Sequence, residues 1–179
     1  MRICVLFLIF CSVILSTTSG HAQGVGIEGS VGSAYPIRES YNITGSASTR
    51  VFYELYSGWQ VGLSIGYYFV ELYRDDPFKA NENRTIHNYM VSAYSNNAPY
   101  ASQWKYGMLA AFGIVHSDIY RVGATTLISG KLGGHCSWYS DIGIFLKAEV
   151  GMQTTFIPLS NNGFILFFAN IGAGYFLEL

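Results

Sequence analysis

From residue 24 onward, apolar residues recur at every second position rather than on a 3.6-residue cycle. That is the signature of β-strands whose two faces meet different surroundings. The last segment is the clearest case: Ile165, Phe167, Ala169, Ile171, Ala173, Tyr175, Leu177 and Leu179 share one face, while Asn170, Gly172, Gly174 and Glu178 fall on the other. Between residues 141 and 153, Ile142, Ile144, Leu146, Ala148, Val150 and Met152 alternate in the same way with Gly143, Phe145, Lys147, Glu149, Gly151 and Gln153. The same rule predicts eight strands, over residues 24–34, 47–57, 59–71, 86–96, 103–115, 122–134, 141–153 and 164–179. Each is near the ~9–11 residues with which a tilted strand crosses a bilayer.

The predicted connections alternate in character. Ser57-Gly58 is a tight turn, and residues 97–102 and 135–140 are short. The intervening loops cover residues 35–46, 72–85, 116–121 and 154–163, three of them longer and rich in turn-forming or charged residues. Short periplasmic turns opposite longer external loops are the pattern of outer-membrane barrels, and an even strand number returns both ends to the periplasmic side. Trp59, Trp104 and Trp138 all fall at or just before the start of an odd-numbered strand. They predict a periplasmic aromatic belt, because the indole ring is apolar while its N–H seeks water or headgroups.

A soluble eight-stranded barrel alternates too, with its apolar face inward. Here one face is almost unbroken aliphatic and aromatic. The other carries Gly, Ser, Asn and the charges Glu28, Arg50, Glu54, Lys105, Lys131, Lys147, Glu149 and Glu178. In a membrane barrel that second face is the interior, where glycines leave room for long charged side chains. Lipid also demands closure, since an open edge leaves backbone groups unsatisfied. The expected fold is therefore all-β: a closed antiparallel up-and-down transmembrane β-barrel of eight strands.

Composition agrees. Charged residues are 12% of the chain, hydrophobic ones 50% and aromatic ones 16%, whereas a soluble domain carries about a quarter charged residues. No stretch after residue 22 supplies the ~20 apolar residues of a membrane helix. The N-terminus reads as a signal peptide: Arg2, an apolar run from Ile3 to Leu15, then small residues ending in Gly20-His21-Ala22. The expected division is a cleaved signal over 1–22 and a barrel domain over 23–179. Cys11 lacks the small residues of a lipobox before it. Cys136 alone remains after cleavage, so no disulfide closes the fold. The formal net charge of −1 argues against nucleic-acid binding.

On these features the chain from Gln23 to Leu179 resembles the small eight-stranded outer-membrane barrels, the group that holds the OmpA transmembrane domain, the OmpX/Ail adhesins and the broad outer membrane protein beta-barrel families. The closing Gly174-Tyr175-Phe176-Leu177-Glu178-Leu179 is similar to the C-terminal strand signal read by the barrel-insertion machinery, with Leu179 where that signal usually has Phe. The resemblance implies outer-membrane lipid and lipopolysaccharide as surroundings, a monomer, and external loops displayed to a host or phage surface ligand.

An eight-stranded barrel has an interior just wide enough to be filled by side chains. Four acids and four bases on the inward face balance, and buried charges need partners. We therefore expect a lumen ion-pair network of Glu28, Arg50, Glu54, Lys131, Lys147 and Glu149, and no general porin activity. Lys105 and Glu178, near the periplasmic rim, are either part of it or solvated. Elsewhere the chemistry is thin. His116-Ser117-Asp118 groups a base, a nucleophile and an acid, but adjacent residues on an extended segment point to opposite faces, so a polar loop is the favoured reading over a lipid A-modifying site. Glu71, Asp75, Asp76 and Glu82 make an acidic loop without EF-hand spacing. Cys136 reads as a free thiol in a periplasmic turn. No catalytic residue, metal or cofactor is expected. The leading function is structural or surface-interacting, with a lipid A-modifying enzyme and a small apolar-solute carrier as alternatives.

Overall fold

The computed structural model describes residues 22–36, 41–55, 57–72, 82–97, 103–117, 125–156 and 165–179. These hold eight strands in one closed barrel: β1 (Ala22–Pro36), β2 (Tyr41–Leu55), β3 (Gln60–Leu72), β4 (Glu82–Tyr94), β5 (Trp104–Ser117), β6 (Thr125–Tyr139), β7 (Ile144–Phe156) and β8 (Ile165–Glu178). Each strand pairs antiparallel with its sequence neighbours, and β1 closes on β8 from Gly24↔Glu178 to Pro36↔Leu166. Residues 1–21 of the predicted signal peptide lie outside the described residues, while its last residue, Ala22, opens β1; parts of all four predicted intervening loops also lie outside them.

The strands extend past the apolar pattern that announces them. The loop expected over 35–46 shrinks to residues 37–40, because β1 continues through Pro36 and β2 begins at Tyr41, with a register shift between Ile43 and Gly45. Similarly, β6 runs on to Tyr139, so Cys136 is not in a turn. It sits exposed on the outer wall, between Tyr106 of β5 and Ala148 of β7. The strand predicted from residue 141 begins at Ile144, which faces outward as expected. Ladder hydrogen bonds continue wherever two backbones lie side by side, whatever their side chains. Two turns stay tight. Gly58 and Gly143 donate their backbone N–H to the carbonyls of Leu55 and Ser140, and both glycines take positive φ (80° and 83°), a conformation that favours glycine.

The outward face is apolar from strand to strand. Leu63, Phe112, Leu132, Val150 and Ile171, on five different strands, are all more than half exposed. The inward face is less polar than the sequence suggests. Its charges lie between two apolar clusters. Phe52, Phe145 and Phe176, packed with Tyr139, fill the end nearer the short turns. Val70, Ile86, Val115, Leu127 and Leu166 belong to a second buried cluster toward the loops.

The inner glycines explain how three rings fit in so narrow a barrel. Gly26 faces Phe52 directly across β1 and β2, and Gly174 faces Phe145 across β8 and β7. A Cβ on Gly26 would stand 2.2 Å from the Phe52 ring. These glycines make room for aromatic rings as well as for charged side chains, and an aromatic opposite a glycine restores the packing that the glycine lacks. Gly26→Val is therefore expected to destabilise the barrel by about 1–3 kcal/mol through overpacking. Gly29, on the outer face, has nothing within 4 Å of its would-be Cβ, so Gly29→Val should be close to neutral. Urea unfolding of both variants in detergent checks this; equal effects would remove the ring-accommodating role.

Candidate functional site

Alternation places Glu28 on β1, Arg50 and Glu54 on β2, Lys131 on β6, and Lys147 and Glu149 on β7, all facing inward. Register then decides who meets whom. Glu28 and Arg50 are directly opposite, and Arg50 Nη1 donates to Glu28 Oε2 at 3.4 Å. Lys147 reaches across the lumen to the other Glu28 oxygen and lies 2.7 Å from Glu149 Oε1. Lys131 donates to Glu149 Oε2 at 3.1 Å. Five of the six residues thus form one line, Lys131–Glu149–Lys147–Glu28–Arg50.

Glu54 joins that line only through an amide. Arg50 Nη1 donates to Gln60 Oε1 at 3.3 Å, and Gln60 Nε2 donates to Glu54 Oε2 at 2.9 Å. The ion partner of Glu54 is Lys105, which is buried. The two rim residues therefore separate: Lys105 is inside the network, while Glu178 is exposed at the mouth.

Charge alone does not reveal the aromatic part of this interior. The Tyr94 ring lies 3.8 Å from the Arg50 guanidinium and 4.5 Å from Lys147 Nζ, and its hydroxyl donates to Glu149 at 2.6 Å. Lys131 sits 4.0 Å from the Phe168 ring and Lys105 4.5 Å from that of Tyr139. Cations over ring faces gain electrostatically where water is excluded. Parity with Ile86, Asn88, Met90 and Ser92 on β4 would have placed Tyr94 inside, and a buried phenol needs a partner for its O–H. Gln153 ties the loop-ward side together, donating to Asn88 at 2.8 Å and Ser129 at 2.9 Å. These hydrogen bonds and ion pairs cross-link the strands through the interior, while Arg50 Nη2 and His135 Nδ1 are buried without a partner among the described residues.

The three tryptophans gather at one rim. Trp104 and Trp138 are direct cross-strand neighbours on β5 and β6, and Trp59 stands in the β2–β3 connection at the same end. Trp59 and Trp104 are exposed and Trp138 partly so. Toward the opposite rim, His116 faces outward. Its Nδ1 lies 3.2 Å from Thr126 Oγ1, and its ring is 6.5 Å from that of His87. Asp118, Asp75 and Asp76 fall outside the described residues. Among the described residues no group of three metal-ligating side chains converges.

Fold and interior together define a class: a small, closed, side-chain-filled barrel with an apolar outer wall. Three solved structures share the fold. Neisserial surface protein A (NspA) matches with a TM-score of 0.56 at 12% identity, over 87% of this chain and 98% of that one. The N-terminal β-barrel domain of Pseudomonas aeruginosa OprF matches with a TM-score of 0.54 at 12% identity, over 88% and 100%. Ail, the attachment invasion locus protein of Yersinia pestis, matches with a TM-score of 0.55 at 12% identity, over 87% and 99%. No protein-family model and no curated protein sequence matches. At this identity the likeness concerns the fold, that of the small eight-stranded outer-membrane barrels.

Proposed function

We propose that this chain is an exported integral outer-membrane protein that acts as a structural or surface-interaction protein through its external loops. The observation that carries the reading is the outer wall: exposed aliphatic and aromatic side chains on every strand, around an interior of buried charges and rings. So large an apolar exterior is unstable in water, where exposed apolar patches on monomers rarely exceed a few hundred Å². It is the expected solvent-facing surface in lipid, where closure removes every free strand edge.

In this reading the short-turn end, with its tryptophans and both barrel termini, faces the periplasm. The segment over 1–22 is removed on export, and the β8 end engages the barrel-insertion machinery. Lipid and lipopolysaccharide surround a monomer. The external loops carry Arg38, Glu39, Arg74, Asp75, Asp76, Lys79 and Asp118, and loops on a rigid scaffold are where binding concentrates. One barrel of this fold, Ail, was crystallised with the heparin analogue sucrose octasulfate; a host or phage surface ligand is the corresponding partner class here.

Expressed in a Gram-negative host, the protein should fractionate with the outer membrane. It should resist SDS until boiled, so that boiled and unboiled samples migrate differently on a gel. Recovery as a soluble periplasmic protein, with identical migration before and after boiling, would sink the proposal.

A further inference from the structure

The buried charges do not balance. Among the described residues, Arg50, Lys105, Lys131 and Lys147 face Glu28, Glu54 and Glu149, while Glu178, which would complete the count, is exposed at the mouth. Lys105 also borders the mouth cavity with Glu178, but the line Lys131–Glu149–Lys147–Glu28–Arg50 by itself sets three cations against two carboxylates, and an uncompensated charge away from water is costly. The surplus shows in the hydrogen bonding too. Arg50 Nη2 is buried without an acceptor among the described residues. An ammonium has three N–H donors, and Lys131 directs one of them at Glu149.

Lys131 also borders a cavity of about 40 Å³ in the lumen, together with Ser46, Ser48, Asn88, Gln153 and Asn170. No carboxylate lines it. Ser92 and Tyr94, both in its wall, hold the Arg50 guanidinium: Ser92 Oγ accepts from Arg50 Nε at 3.0 Å, and the Tyr94 ring stacks on it. Ser48 and Ser30 share one hydroxyl proton between them at 2.6 Å, which leaves the second free to donate. The space exceeds the roughly 10–15 Å³ that a single held water needs, so it has room for a small ion.

We propose that this cavity binds one small monovalent anion, a halide, held by the Lys131 ammonium and serine hydroxyls in the field of Arg50, and that the ion neutralises the lumen. The test uses the full folded barrel. Crystals soaked in bromide should show an anomalous peak within hydrogen-bonding distance of Lys131 Nζ. The urea midpoint in detergent should rise with chloride but not with gluconate at matched ionic strength, since a ligand that binds only the native state stabilises it. Both effects should vanish in Lys131→Gln, which removes the surplus charge. They should vanish too in Ser48→Val, which fills the cavity and leaves every charge in place, so a folding failure of one variant still leaves the other. Absence of the peak, or a midpoint indifferent to the anion, overturns the site. A peak with unchanged chloride dependence in both variants means an adventitious ion only, and overturns it as well.

Discussion

Glu149→Gln is expected to cost about 3–5 kcal/mol, the range for removing one member of a buried ionic network. Glu149 accepts from Lys131 at 3.1 Å, from Lys147 at 2.7 Å and from the Tyr94 hydroxyl at 2.6 Å. An amide of the same shape can still accept on one side. Its NH2 group must then face an ammonium on the other, and the interior gains net positive charge. Lys147→Met should be milder, because each carboxylate it abandons keeps a partner: Glu28 retains Arg50, and Glu149 retains Lys131 and Tyr94. Combining Glu149→Gln with Lys131→Met removes the donor-to-donor clash. It should recover part of the single-mutant loss, within the roughly 0.5–3 kcal/mol typical of coupled neighbours. Adding Glu149→Gln to Lys147→Met should likewise be less than additive. Urea unfolding in detergent or vesicles measures all of these variants. A harmless Glu149→Gln, or strict additivity in both double mutants, would show that these contacts do not hold the walls together.

Val150→Arg should cost about 2–4 kcal/mol in lipid vesicles, the figure for arginine on the lipid face of a barrel at the bilayer midplane. Val150 lies midway along β7 and is 61% exposed on the outer wall. An arginine there loses water and gains no acceptor. Thr154, on the same face nearer the loop end of β7, tests depth: Thr154→Arg should cost only about 0–1 kcal/mol, as near an interface. The pair separates lipid from water as the surroundings of this face. In water an exposed valine replaced by arginine is close to neutral, so equal and negligible effects at both positions would refute the membrane reading.

Much of this architecture is legible from the chain because the signal is local. Side chains alternate across a strand whatever its neighbours do, so counting by twos found eight strands and placed every one of Glu28, Arg50, Glu54, Lys105, Lys131, Lys147 and Glu149 inside. It also put Trp59, Trp104 and Trp138 at strand starts, which up-and-down connection gathers at one rim. Strand ends were less legible. Ladder hydrogen bonds carry β2 back to Tyr41 and β6 on to Tyr139, beyond the apolar positions that mark a strand in the sequence.

Parity says which side a residue faces but not at what height, and height depends on the stagger of each strand against the next around the closed wall. That is why only the tertiary structure could pair Glu54 with the more ambiguous Lys105 and leave Glu178 outside, turning an apparent balance of charge into a surplus. It alone set the Tyr94 ring against Arg50 and Lys147. It alone seated Phe52 over Gly26 and Phe145 over Gly174 as well. The outward face reads simply from sequence because lipid asks only that each residue be apolar. The inward face does not, because eight strands must share one narrow volume, and what fits beside what is settled by registers that no single strand encodes.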